Sequence, residues 1–207
     1  MTFTGFHSKI AQTGALFGLA LVIQAYCGSL KPAGDPIRIT VRVRDMAHIR
    51  PRILARAEEN AGSVFKKAGV KIFWADCSAS ATPGHWDCPG EENVLTLGLW
   101  MLDSAPQGVA EHCLGFALMG IPGEPHALII YPRTVDTAHG VDVEVETVLG
   151  VAMAHELGHL LFQRHGQGIM AGHWGPTELR RAAQVRMHFT PEQEQLMREH
   201  LSSRSNQ

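Results

Sequence analysis

Alternation of apolar and charged residues marks the first predicted element. IRITVRVRD (37–45) sets Ile37, Ile39, Val41 and Val43 against Arg38, Thr40, Arg42 and Arg44, the period of a strand with one buried and one solvated face. The period then changes. RPRILARAEENAGSVFKKAG (50–69) spaces Leu54, Ala57, Ala61, Val64, Phe65 and Ala68 as one face of a helix, with Pro51 near its start and Gly69 as its stop, so an amphipathic helix should pack on the sheet. VKIFWADC (70–77) and NVLTLGLWML (93–102) read as two further strands, separated by the Pro/Gly-rich CSASATPGHWDCPGEE, which cannot continue either. LGFALM (114–119) is a short apolar piece, and HALIIYP (126–132) is a strand closed by Pro132. TAHGVDVE (137–144) is expected to be a loop leading into a long helix.

From Val148 onward the helical period returns. Leu149, Met153, Leu157 and Leu160 form one stripe, while Val148, Ala152, His155 and His159 lie nearly opposite, so one side should pack and the other face a cleft. GPTELRRAAQVRMHF (175–189) reads as another helix. T-P-E-Q (190–193) is a capping box with Pro191 at the first helical position, so a last helix should begin there. Repeats, low-complexity tracts and interdomain linkers are absent from the pattern.

Composition narrows the class. With 207 residues, 45% of them hydrophobic, the chain can bury one ordinary core. A formal charge of −2 with no dense Lys/Arg run speaks against a general nucleic-acid binder. At the N-terminus Lys9 precedes the apolar run AQTGALFGLALVIQAYC, which has signal-peptide length and is short for a membrane span of about 20 residues. Residues 1–27 are therefore expected to be a secretory signal cleaved after Ala25 or Cys27, leaving one domain over 28–207 with no stable membrane span, secreted or periplasmic. A lipid anchor at Cys27 is weakened by the bulky Tyr26 before it. Export permits disulfides: Cys77 and Cys88 bracket a turn-rich segment and could close it, which leaves Cys113 over unless it pairs with Cys27.

The chemistry concentrates in VLGVAMAHELGHLLFQRHGQGIMAGHW (148–174). His155 and His159 are four residues apart, so on a helix their rings share one face and can grip a single zinc ion. Glu156 projects about 100° away, within reach of a water at the metal without ligating it, the placement of a general base. His165 is the candidate third ligand, with His173 and Glu178 as rivals. Tyr131 is a candidate donor to a developing oxyanion, against ordinary packing at a strand end.

HELGHLLFQRH followed by GIM resembles the zinc-binding region of the metzincin group of zincin metallopeptidases, whose longer pattern is H-E-x-x-H-x-x-G-x-x-H with a methionine-bearing turn. AHELGHLL with GIM and Trp174 is also similar to uncharacterised secreted bacterial zinc peptidases. The resemblance implies an α+β fold: a twisted mixed sheet of about five strands with a backing helix, an active-site helix and C-terminal helices. It implies zinc held by His155, His159 and His165, Glu156 as catalytic base, Met170 as the turn methionine, a peptide or protein substrate, and LGFALM as the edge strand that holds it. One departure matters: Phe162 stands where the pattern has glycine. Were the helix to continue, His165 would lie about 120° round from His159 and about 9 Å along the axis, so the chain must break first, with Gly166 and Gly168 as candidates for the unusual backbone angles. That departure and the leftover cysteine keep open a secreted zinc-binding or interaction protein with a degenerate site; hydrolysis of peptidoglycan peptides is a further alternative.

Overall fold

The segment with the clearest alternation forms the sheet's interior. In the computed structural model, which describes residues 36–78, 88, 94–119, 125–184 and 186–204, β1 (Ile37–Asp45) is flanked by parallel strands β2 (Val70–Asp76) and β3 (Leu95–Leu102). Beyond β3 lies β5 (His126–Ile130), also parallel, and β4 (Gly115–Leu118) pairs antiparallel with β5 at the edge. The order is β2-β1-β3-β5-β4, a mixed five-stranded sheet. Register is held by burial: Ile39, Val41 and Val43 are all at most 1% exposed, and a one-residue slip would turn them to the opposite face.

Helix α1 (Pro51–Lys67) makes the crossover between the parallel strands β1 and β2. Its buried stripe of Ala57, Ala61, Val64 and Phe65 is the one the sequence pattern marks, and Lys66 and Lys67 in the last turn complement the helix dipole. It packs against α3 (Val145–Phe162), and the side-chain amide of Asn60 donates to the carbonyl of Glu146 at 3.1 Å. Strands, α1 and α3 share one hydrophobic core. α3 is buried along nearly its whole circumference, with His155 and Glu156 each only 7% exposed.

Three readings need correction. HALIIYP ends as a strand at Ile130, and residues 131–141, expected as strand end and loop, form α2 (Tyr131–Val141). Pro132 opens that helix in its first turn, where its missing N–H costs nothing, and Thr134 and Ala138 bury one turn apart. The helix predicted over 175–189 stops early, as α4 (Pro176–Ala183). Val148 does not face a cleft: it is fully buried in a small cluster with Ala138 and Leu179, because α2 and α4 cover that side of α3. The last helix, α5 (Pro191–Arg204), starts where the capping box places it, with Thr190 N–H donating to Gln193 Oε1 at 2.8 Å.

Cys77 and Cys88 are disulfide-bonded, their Cα atoms 5.3 Å apart, and Cys113 is a free thiol. The expected signal segment 1–27, its cleavage sites and Cys27 lie outside the described residues. Among the described residues no helix is long and apolar enough to cross a membrane.

Candidate metal centre

α3 delivers His155, Glu156 and His159 from inside the protein, and the chain reversal after it delivers His165. The helix ends at Phe162, and the turn is made by Gln163, which takes the left-handed conformation (φ 51°, ψ 22°) while its N–H donates to His159 O at 3.1 Å. Phe162 itself is the last helical residue and packs edge-to-face on Phe189 at 5.8 Å, which meets Phe65 edge-to-face in turn at 5.1 Å. Phe162 thus serves as an apolar anchor, and the residue after it makes the turn. Gly168 (φ 63°) opens a single 3-10 turn, Gly168–Met170; Gly166 adopts no positive φ.

This path brings three imidazoles together. His159 Nε2 lies 3.0 Å from His155 Nε2 and 3.2 Å from His165 Nε2. Nitrogens held tetrahedrally at 2.0–2.1 Å from one zinc ion are about 3.3 Å apart, so the spacing is that of a common ligand sphere. The other ring nitrogen of His155 fixes its tautomer: Ile169 O can only accept, so Nδ1–H donates to it at 2.7 Å and Nε2 is left with its lone pair facing the cluster. Burial lowers the His155 pKa, and burial with the two neighbouring histidines pushes His159 down to about 4. The three ring nitrogens converge at a spacing that one cation would bridge, and three imidazoles are a donor set that fits zinc. Trp174 meets His155 edge-to-face at 5.0 Å.

Beneath the helix, Met170 occupies the floor. A Cβ at Gly158 would stand 2.7 Å from Met170 Sδ and 3.1 Å from a ring carbon of Phe189, so glycine there lets Met170 pack close against α3. Glu156 is held away from solvent, and that burial pushes its carboxyl up to about 8. A positive charge on the triad would favour the carboxylate and reverse the shift.

The histidines and Glu156 open into a cavity of about 660 Å³, with β4 as one wall and Leu114, Phe116, Met119, Trp174 and Leu179 giving it an apolar character. β4 is an edge strand, as expected for LGFALM. The rivals of His165 lie elsewhere: His173 lines the cavity outside the three-nitrogen cluster, and Glu178 Oε2 accepts from Gly175 N–H at 3.0 Å, capping α4. Tyr131 does not line the cavity; it packs against the core at the start of α2.

No family model and no curated protein matches the chain. Among solved structures it is similar to archaemetzincin from Methanopyrus kandleri. The two are 21% identical, with a TM-score of 0.47, over 84% of this chain and 99% of that one. At that level of similarity the weight falls on the side chains of this chain. The cavity also takes in Thr137, from the stretch expected to be a loop, together with His112 and Cys113, which the sequence pattern does not single out for it. Pro132 in a helix's first turn is the local sign of the first, and it marks the end of a strand equally well. Nothing local marks the other two.

Proposed function

We propose that this chain is an exported zinc-dependent metallopeptidase that hydrolyses peptide bonds in peptide or protein substrates. The observation that carries the reading is the convergence of the Nε2 atoms of His155, His159 and His165 beside a buried Glu156, in a cleft walled by an edge strand. His155, His159 and His165 would hold the metal. Zinc, when bound, supplies Lewis acidity, acidifying a water and polarising a carbonyl.

The remaining steps belong to the protein. An extended peptide adds through its backbone to the outer edge of β4, which pairs with β5 alone among the described strands, and an apolar side chain enters the cavity lined by Leu114, Phe116 and Leu179. Glu156 takes a proton from the attacking water and returns it to the leaving amine nitrogen, so that one carboxyl serves both halves of the reaction. Its burial excludes bulk water from that transfer. Export is supported by the N-terminal apolar run and by the Cys77–Cys88 disulfide, which an oxidising compartment preserves. The reading as a degenerate binder loses one of its motives, since Gln163 makes the turn that Phe162 cannot.

Metal analysis and a broad peptide library test the proposal together. Purified protein should carry one zinc and cleave peptides with an apolar residue next to the scissile bond. Glu156→Gln should keep the zinc and lose about 10²- to 10⁴-fold in kcat, and His165→Ala should lose zinc. Full activity in Glu156→Gln, or a fully zinc-loaded wild type that cleaves nothing in the library, would overturn it.

A further inference from the structure

Helix α2 reaches the cleft with two residues one turn apart. Thr137 lines the cavity, and Arg133 reaches the loop that joins β3 to β4. Its guanidinium donates to the carbonyl oxygens of Ala110 at 2.5 Å, Cys113 at 2.9 Å and, more weakly, Val109 at 3.4 Å. Residues 20 to 24 positions distant in sequence are therefore gathered on one cation. A planar guanidinium offers five N–H donors in a fixed fork, which suits several carbonyls at once in a way that an ammonium does not. Among the described residues the loop's own backbone contributes two local bonds, Val109 N to Pro106 O at 3.3 Å and Cys113 N to Ala110 O at 3.1 Å.

Directly after the gathered carbonyls the chain becomes the cleft wall. Leu114 O accepts from Ile130 N at 2.8 Å, which starts the pairing of β4 with β5. Gly115 follows, and a Cβ there would stand 2.8 Å from Glu156 Cγ and 2.6 Å from Leu128 O. The head of β4 thus rests on the side chain of Glu156, with no slack for a methyl group.

We infer that Arg133 is a positioning residue for the cleft. By holding the carbonyls of Val109, Ala110 and Cys113 it fixes the head of β4 against Glu156, and so keeps in place the edge to which a substrate strand would add. Its consequence for turnover rests on the peptidase reading; its mechanical part does not.

Cys113 supplies a readout that needs no substrate, because it is a free, half-buried thiol inside the held segment. Its rate of alkylation, resolved by mass spectrometry on the peptide that carries it, should rise about tenfold in Arg133→Ala and by less in Arg133→Lys, the scale expected when hydrogen bonds to a charged group are lost. Bound zinc should stay unchanged in both. With a cleaved peptide in hand, KM should rise about tenfold in Arg133→Ala while kcat moves less than threefold, which a general loss of folded protein would not produce. Should Arg133→Ala fail to fold, Arg133→Lys carries the same comparison. Wild-type alkylation rates in the variants, or a fall in kcat at constant KM, would overturn the inference. A wild type that cleaves no peptide defeats the peptidase reading and leaves the thiol measurement to decide Arg133.

Discussion

Glu156→Gln should change how the stability of chelator-treated protein depends on pH. In the fold Glu156 is only 7% exposed, and burial raises its pKa from 4.5 to about 8. Between those two values the folded state keeps the proton while the unfolded chain has lost it. The unfolded state therefore binds fewer protons, and stability falls as pH rises through the window. Each pH unit inside the window costs about 1.4 kcal/mol, so the wild type should lose about 3 kcal/mol between pH 4.5 and 7 from this group. Glutamine has no such proton. Its own burial cost is the same at every pH, and it leaves the histidines in place, so their titration cancels in the comparison. Denaturant unfolding of both proteins in chelator, at intervals from pH 4.5 to 8, should show the stability of Glu156→Gln gaining steadily on the wild type. Adding zinc should shrink the gap, because a cation beside the carboxylate favours its ionised form. Two parallel stability curves, with a difference constant to within about 1 kcal/mol over that range, would refute the reasoning that desolvation governs this carboxyl.

Other expectations follow from local geometry. Gly150→Ala should destabilise the fold by about 1 to 3 kcal/mol in thermal or denaturant unfolding, because the added methyl meets the carbonyl oxygen of Ala57 at 2.8 Å and Asn60 Cβ at 2.7 Å, where the backbone of α1 has no room to give. Gln163→Gly should stabilise by up to about 1 kcal/mol, since the position already has φ 51° and glycine adopts it without a Cβ clash; a loss of stability would show that the glutamine side chain matters more than the angle. Reducing the Cys77–Cys88 bond should lower stability by about 2 to 3 kcal/mol, read as a shift in the denaturant midpoint between oxidised and reduced protein.

Much of the scaffold was legible because its signals are local. The alternation in β1, the buried stripe of α1, the capping box of α5 and the paired spacing of His155 and His159 all follow from periods of two or 3.6 residues, which bring side chains to one face whatever else the chain does. The nearness of Cys77 to Cys88 was also a short-range matter. α2 was misread because Pro132 carries two meanings, end of a strand and start of a helix, and the choice between them came from burying Thr134 and Ala138 rather than from the residues alone. Val148 was placed on the wrong side for a similar reason. A helix wheel divides two faces, and α3 is enclosed by α1, the sheet, α2 and α4 on more than two.

The sequence by itself determined that two imidazoles and one carboxyl would leave α3 at helical spacing. Only the tertiary structure decided the rest of the site. Whether His165 could reach the other two depended on a turn at Gln163 that Phe162 anchors through Phe189, a contact between residues far apart in the chain. The tautomer of His155 depends on the carbonyl of Ile169, and the character of Glu156 on an edge strand laid over it at Gly115. Periodicity fixes directions along one element; reach, charge state and enclosure come from how separate elements pack, which is what brings the ring nitrogen of His165 within 3.2 Å of His159.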